Sequence, residues 1–309
     1  MSFELTLCDD PSGDPRVARP GEITAIGQAV PSALLLLIHG YNNDVDEANA
    51  AYDAFERLQR QLSGQPAYAP GTAVARVFWP AGSHVWQFMA AIRRVPAVGA
   101  VLAESLAGIA RLQQRPLFVS VVAHSLGCRL AMETIRAIRQ QGPSLVVFDR
   151  LVFFAGAQAT VQLQSPPDSR QLRQGWDAVI KGGVRSLYSP ADDVLSLAFP
   201  LGSTMAGHGE PKLPTALGHD YWALPTRPAD LGQAENRGAG HSDYWGWRTQ
   251  TAASNGRFAA QEARRFLDLA QAQREMPSRY APDRTLEQRE QERRELAQRE
   301  AASRLAFGS

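Results

Sequence analysis

The fold predicted is α/β: a mostly parallel central sheet with helices on both faces. Three observations carry it. Wholly apolar β-type runs recur along the chain, and helix-patterned segments separate them. One such run, Leu117–Ala123, passes through the small-residue turn His124-Ser125-Leu126-Gly127 directly into a helix-patterned segment from Cys128 to Gln140. Strands apolar on both faces belong inside a sheet covered on both sides, and strands alternating with helices imply parallel pairing.

The elements follow in order. Ala33–Ile38 (Ala-Leu-Leu-Leu-Leu-Ile) is a fully buried strand. Asn42-Asn43-Asp44 then forms a capping cluster, with Asp46 and Glu47 in the first helical turn. Val45, Ala48, Tyr52, Phe55, Leu58 and Leu62 repeat with the helical period. Ala75–Phe78 is a short strand ended by Trp79-Pro80, and a helix spans about His84 to Leu112, broken near Pro96. Leu151–Phe154 and Val184–Tyr188 are further strands, and a helix covers about Ala252 to Ala272. Phe3–Leu7 and Glu22–Ala29 supply edge strands. Ser196–Gly240, rich in Gly and Pro and carrying Tyr221 and Trp222, reads as a long functional connection.

Residues 1–275 therefore form one domain, its motif-bearing core at about 32–267, with a charged helical or disordered tail at 282–305. In that tail Glu290–Arg294, Glu295–Arg299 and Glu300–Arg304 are i,i+4 pairs in the favourable order. A solvated helix is preferred there over a partner-binding one, since Leu286, Leu296 and Leu305 make only a thin apolar face. Residues 155–183 leave room for a small excursion around Trp176 but not for a large cap domain.

Composition narrows the function. A formal net charge of +1 argues against nucleic acid as a partner. Cys8 and Cys128 are the only cysteines, which makes neither a disulfide framework nor a structural metal site. The six histidines show no metal-ligand spacing. No basic region followed by an apolar stretch opens the chain, and no uninterrupted apolar run approaches the length of a membrane span. A cytoplasmic protein is the expectation.

The strand–turn–helix around Ser125 is the context of a nucleophile elbow, in which a sharp turn lifts the serine hydroxyl above the sheet edge. Gly127 supplies one small flanking residue, and Ala123 stands where glycine is usual on the other side. A serine needs a base, and the base an orienting carboxylate. On this scaffold the order is serine, acid, histidine. Ser189-Pro190-Ala191-Asp192-Asp193 follows a later strand, where catalytic groups gather beyond the carboxyl ends. Asp192 is favoured as the acid, with Asp193 the alternate. Among the downstream histidines His208, His219 and His241, the last lies in a loop just before the final helix and is favoured over His219 as base. Leu126, after the nucleophile, offers one oxyanion amide, and the loop His39-Gly40-Tyr41-Asn42-Asn43 offers the second, at Tyr41 with Asn42 as runner-up. His39 and His124 read as structural, packed and hydrogen-bonded, His84 has no role, and Cys128 is a small packed residue behind the serine.

His39-Gly40-Tyr41-Asn42-Asn43, Phe78-Trp79-Pro80, Ala123-His124-Ser125-Leu126-Gly127, Tyr188 through Asp192 and His241-Ser242-Asp243-Tyr244 together resemble the α/β-hydrolase superfamily. Within it they are similar to a bacterial serine-hydrolase branch of largely unassigned substrate, over roughly Ser32 to Leu267. The resemblance implies the α/β-hydrolase fold, no cofactor, and hydrolysis of a small-molecule acyl ester through an acyl-Ser125 intermediate, esterase- or lipase-like. Cys128 departs from it, standing where that branch tends to carry a polar residue such as Asn. Amide or thioester hydrolysis and acyl transfer would use the same triad, and a non-catalytic interaction module is the remaining alternative. Val85, Trp86, Phe88, Met89, Ile92 and Val95 read first as core, with an acyl site completed by Trp222 as the second reading.

Overall fold

In the computed structural model of the chain the described residues are 2–9, 15–17, 33–63, 72–82, 87–141, 144–160, 180–206, 214–221, 231–247 and 250–275. The strands are β1 (Ser2–Asp9), β2 (Pro15–Val17), β3 (Ala33–Ile38), β4 (Thr72–Phe78), β5 (Leu117–His124), β6 (Val146–Phe154), β7 (Val184–Tyr188) and β8 (Leu231–Glu235). They form one sheet in the order β2-β1-β4-β3-β5-β6-β7-β8. Every pairing is parallel except that of β1 with β2. The helices are α1 (Val45–Ser63), α2 (Phe88–Gln113), α3 (Leu126–Gln140), α4 (Phe199–Ala206) and α5 (Gln250–Glu275), with a π-helical turn, Val194–Ala198, leading into α4.

The period-2 geometry of a strand divides the apolar runs between two cores. Leu34, Leu36 and Ile38 of β3 join α2 and α3 on one face, as do Val119, Val121 and Ala123 of β5. Leu35 and Leu37, with Val122, join α1 and α5 on the other. Each of Leu34 to Leu37 is at most 1% exposed, and burying a side chain of that size stabilises by roughly 1.5–3 kcal/mol. The central strands thus serve both layers, which is why they are apolar throughout. Among the described residues there is no large cap over the sheet.

Several expectations are corrected. Phe3–Leu7 lies within β1, which is paired on both sides and is not an edge strand. Helix α2 runs unbroken through Pro96, because its buried face, from Ala91 and Ile92 through Val95, Val98 and Leu102 to Leu106, holds it inside the core. By length and composition alone this helix could also cross a membrane, although Arg93, Arg94 and Glu104 interrupt its apolar run. However, 56% of its most apolar stretch is buried within the fold. The segment 196–240 is not one loop: it contains the end of the π-helical turn, α4, a bridge from Ala216 to Ala159, and β8. Glu22–Ala29, His84 to Trp86, Trp176, His208, Trp222 and the tail at 282–305 lie outside the described residues.

Candidate active site

Ser125 sits between β5 and α3 with φ +53° and ψ −124°, a backbone conformation that disfavours a side chain by about 1–3 kcal/mol. Its surroundings hold it there. The Ser125 amide donates to the Phe154 carbonyl (2.9 Å), and its own carbonyl accepts from the amides of Cys128 and Ala157 (3.1 Å each). Two glycines make room. A Cβ on Gly127 would collide with the carbonyl oxygen of His39, and one on Gly40 would stand 2.8 Å from the Ser125 Cβ. The elbow and the 39–43 turn therefore meet backbone to backbone. Behind the serine, the Cys128 thiol is fully buried and donates to the Ala123 carbonyl at 3.3 Å. Burial pushes its pKa well above the usual thiol value, so it stays protonated.

The structure brings Ser125, His241 and Asp192 into one hydrogen-bonded line. Ser125 Oγ lies 2.8 Å from His241 Nε2, and His241 Nδ1 lies 2.8 Å from Asp192 Oδ2. Asp192 is completely buried. Its other oxygen accepts from the Leu195 amide (3.0 Å), and its own amide donates to the Ser189 carbonyl (3.1 Å). With Oδ1 held by the backbone, Oδ2 is aimed at the imidazole. Asp193 points to solvent instead, its side chain exposed at the start of the π-helical turn.

His241 reaches the line from the loop after β8. Asn236 ties the loop root to β7 and α5 through bonds to the Tyr188 and Asn255 carbonyls. Asp243 Oδ2 closes the turn by accepting from the Gly240 amide at 2.8 Å. Beyond it, Tyr244 stacks on Phe154 and Trp245 packs edge-on to Tyr52, Phe55 and Phe154. His219 occupies a separate turn, its amide bonded to the Ala216 carbonyl.

The 39–43 turn is fixed by side chains that donate to its carbonyls. His39 Nδ1–H donates to the Gly40 carbonyl (2.9 Å), while His39 Nε2 accepts from the Trp79 amide (3.3 Å). That pairing requires a neutral ring protonated on Nδ1. Burial lowers the His39 pKa to about 4, although the Gly40 bond pulls the other way. Asn43 Nδ2 donates to the carbonyls of both Gly40 (3.3 Å) and Tyr41 (3.2 Å). In a trans peptide the N–H points opposite to the C=O. These bonds therefore turn the amides of Tyr41 and Asn42 to the face away from Asn43. The His39 amide donates to Tyr52 Oη (2.8 Å), which donates on to the Val77 carbonyl (2.7 Å). Leu126, the first residue of α3, has an amide without an intrahelical acceptor.

Sequence reasoning missed Tyr52, Asn236 and Asp243. Tyr52 was visible only as an apolar helix position, and its hydroxyl in a stripe of otherwise wholly apolar side chains was the one available signal. Among the described residues, no three His, Cys, Asp or Glu side chains cluster to hold a metal.

Residues 23–165 match the family described as an alpha/beta hydrolase of unknown function (DUF900). That span contains the 39–43 turn and the elbow and ends before Asp192 and His241. No curated protein matches the chain. Among solved structures, the chain is similar to an esterase from Pyrobaculum calidifontis at 17% identity and a TM-score of 0.42, covering 78% of this chain and 77% of that one. It is similar to a hydrolase from Agrobacterium vitis S4, described as putative, at 12% identity and a TM-score of 0.40, covering 77% and 90%. It is also similar to the RedJ thioesterase of the prodiginine pathway in Streptomyces coelicolor at 11% identity and a TM-score of 0.37, covering 76% and 87%.

Proposed function

We propose that this chain, which has the α/β-hydrolase fold and matches an alpha/beta hydrolase family over residues 23–165, is a serine hydrolase cleaving carboxylic esters of small molecules through an acyl-Ser125 intermediate. The observation that carries this reading is the line from Ser125 Oγ to His241 Nε2 to Asp192 Oδ2, 2.8 Å at each step. Asp192 holds the proton on His241 Nδ1, leaving Nε2 free to accept one.

Ser125 Oγ attacks the acyl carbon as its proton passes to His241 Nε2. The carbonyl electron pair moves onto oxygen, and the resulting oxyanion faces the amides of Leu126 and Tyr41, with Asn42 as the alternate to Tyr41. Both donors belong to rigid backbone, so little reorganisation accompanies charge development. Collapse of the intermediate re-forms the carbonyl and breaks the ester C–O bond. The departing alkoxide takes the proton from Nε2. Water then attacks the acyl-enzyme, gives its proton to Nε2, and the acid is released as the proton returns to Ser125.

Hydrolysis of p-nitrophenyl esters tests this directly. Ser125→Ala should lower kcat by about 10⁵-fold while the far-ultraviolet spectrum and melting profile stay those of the native fold. A fluorophosphonate should label Ser125 in the wild type. Undiminished turnover in the variant removes Ser125 from the chemistry, and absence of labelling favours a non-catalytic module.

A further inference from the structure

We propose that His124 is a positioning residue for the base, holding the His241 loop against the nucleophile through one hydrogen bond. The proposal rests on the serine-hydrolase reading above and adds a residue that the triad does not include.

His124 ends β5, one residue before Ser125, and its side chain is buried. Its Nε2–H donates to the main-chain carbonyl of His241 at 2.7 Å, and the two imidazole rings lie 5.1 Å apart. It also packs 6.2 Å from the ring of Tyr244 and 6.1 Å from that of Trp245, the aromatic anchors of the same loop. On its other side, the ring approaches Gly40 so closely that a Cβ there would stand 2.8 Å from His124 Nδ1. One side chain thus touches the three segments that must keep register: the elbow, the 39–43 turn and the loop bearing His241.

The bond is to the backbone of the very residue whose ring accepts the serine proton. Without it, the His241 carbonyl is free to rotate away, and the ring turns with its own main chain. The Asp192 bond constrains the ring at Nδ1 but leaves its pivot free. The His124 bond fixes that pivot. Movements of about 1 Å at a catalytic group lower rates by about 10²-fold.

His124→Leu, His124→Gln and His124→Asn form the test, with kcat and KM for an ester substrate and the rate of fluorophosphonate labelling as readouts. Glutamine places an N–H near the position of Nε2, whereas asparagine is one carbon shorter. The leucine and asparagine variants should lose about 10²-fold in kcat with little change in KM, and glutamine should recover most of it. Labelling rates should follow kcat. A glutamine variant no faster than asparagine, or a folded leucine variant with wild-type kcat, overturns the proposal. If leucine fails to fold, the comparison of the two amides still decides it. A wild type that the fluorophosphonate does not label overturns the serine-hydrolase reading and the His124 role with it. Labelled wild type with indifferent His124 variants removes only the positioning role.

Discussion

Two stretches of the chain assemble the site by different means. Residues 33–160 carry Ser125 and the 39–43 turn on central strands, and the two meet through backbone, with Gly40 and Gly127 where no side chain fits. Residues 180–247 carry Asp192 and His241 on turns beyond β7 and β8, toward the outer part of the sheet. These are held by side-chain hydrogen bonds and by aromatic anchors. The difference teaches that Ser125 and the neighbouring amides are placed by strand geometry, whereas the proposed acid and base are delivered by loops.

The sharpest test of that contrast is the pair of adjacent aspartates. Asp192→Asn should lower kcat by about 10⁴-fold, because the amide no longer keeps the imidazole in its working tautomer. Asp193→Asn, altering an exposed side chain, should leave kcat within about 2-fold. A reversed ranking in ester hydrolysis would break the assignment of the buried carboxylate. Next in size, Gly127→Ala should destabilise the fold by about 3 kcal/mol or more, since the methyl meets the rigid carbonyl of His39. Urea unfolding measures it, and a near-neutral result would mean the two backbones are free to separate.

His39 gives a comparable effect that depends on pH. Its pKa falls from 6.5 to about 4 in the folded chain, so between those values the unfolded state binds more protons. The stability it contributes is complete above pH 6.5 and is lost as pH falls toward 4, by about 3 kcal/mol. Urea midpoints across that window should slope upward with pH, and less steeply in His39→Gln. The smallest effect belongs to the second stretch. Gly238→Ala, at φ +71° with nothing within 4 Å, should cost about 1 kcal/mol in the same assay, from backbone conformation alone.

The sequence was most legible where one residue type had one physical reason. The leucines of β3 are apolar on both faces because the strand serves two cores, and that pattern predicted a sheet covered on both sides. Ser125 was visible because small residues crowd a strand-to-helix turn. β8 was illegible: of Leu231-Gly232-Gln233-Ala234-Glu235 only Leu231 is buried, and the strand pairs on one side only. Its first half resembles a turn, so it vanished into an apparent loop. Pro96 misled because local helix propensity was weighed without the burial that overrides it. Asp192 and Asp193 stood equal in residue type. Only the backbone direction after β7, which no single-residue property encodes, separates a buried carboxylate from an exposed one.

The position of β8 at the outer edge of the sheet also bears on how the protein is made. Ser125 and the 39–43 turn lie in the part of the chain synthesised first, and their strands can pair before residue 180 exists. His241 follows more than a hundred residues later, in the loop after β8, the last strand in chain order among the described residues. On the proposed triad, a nascent chain that has made the elbow still lacks its base, so fluorophosphonate labelling of Ser125 is expected to begin only once β8 has docked.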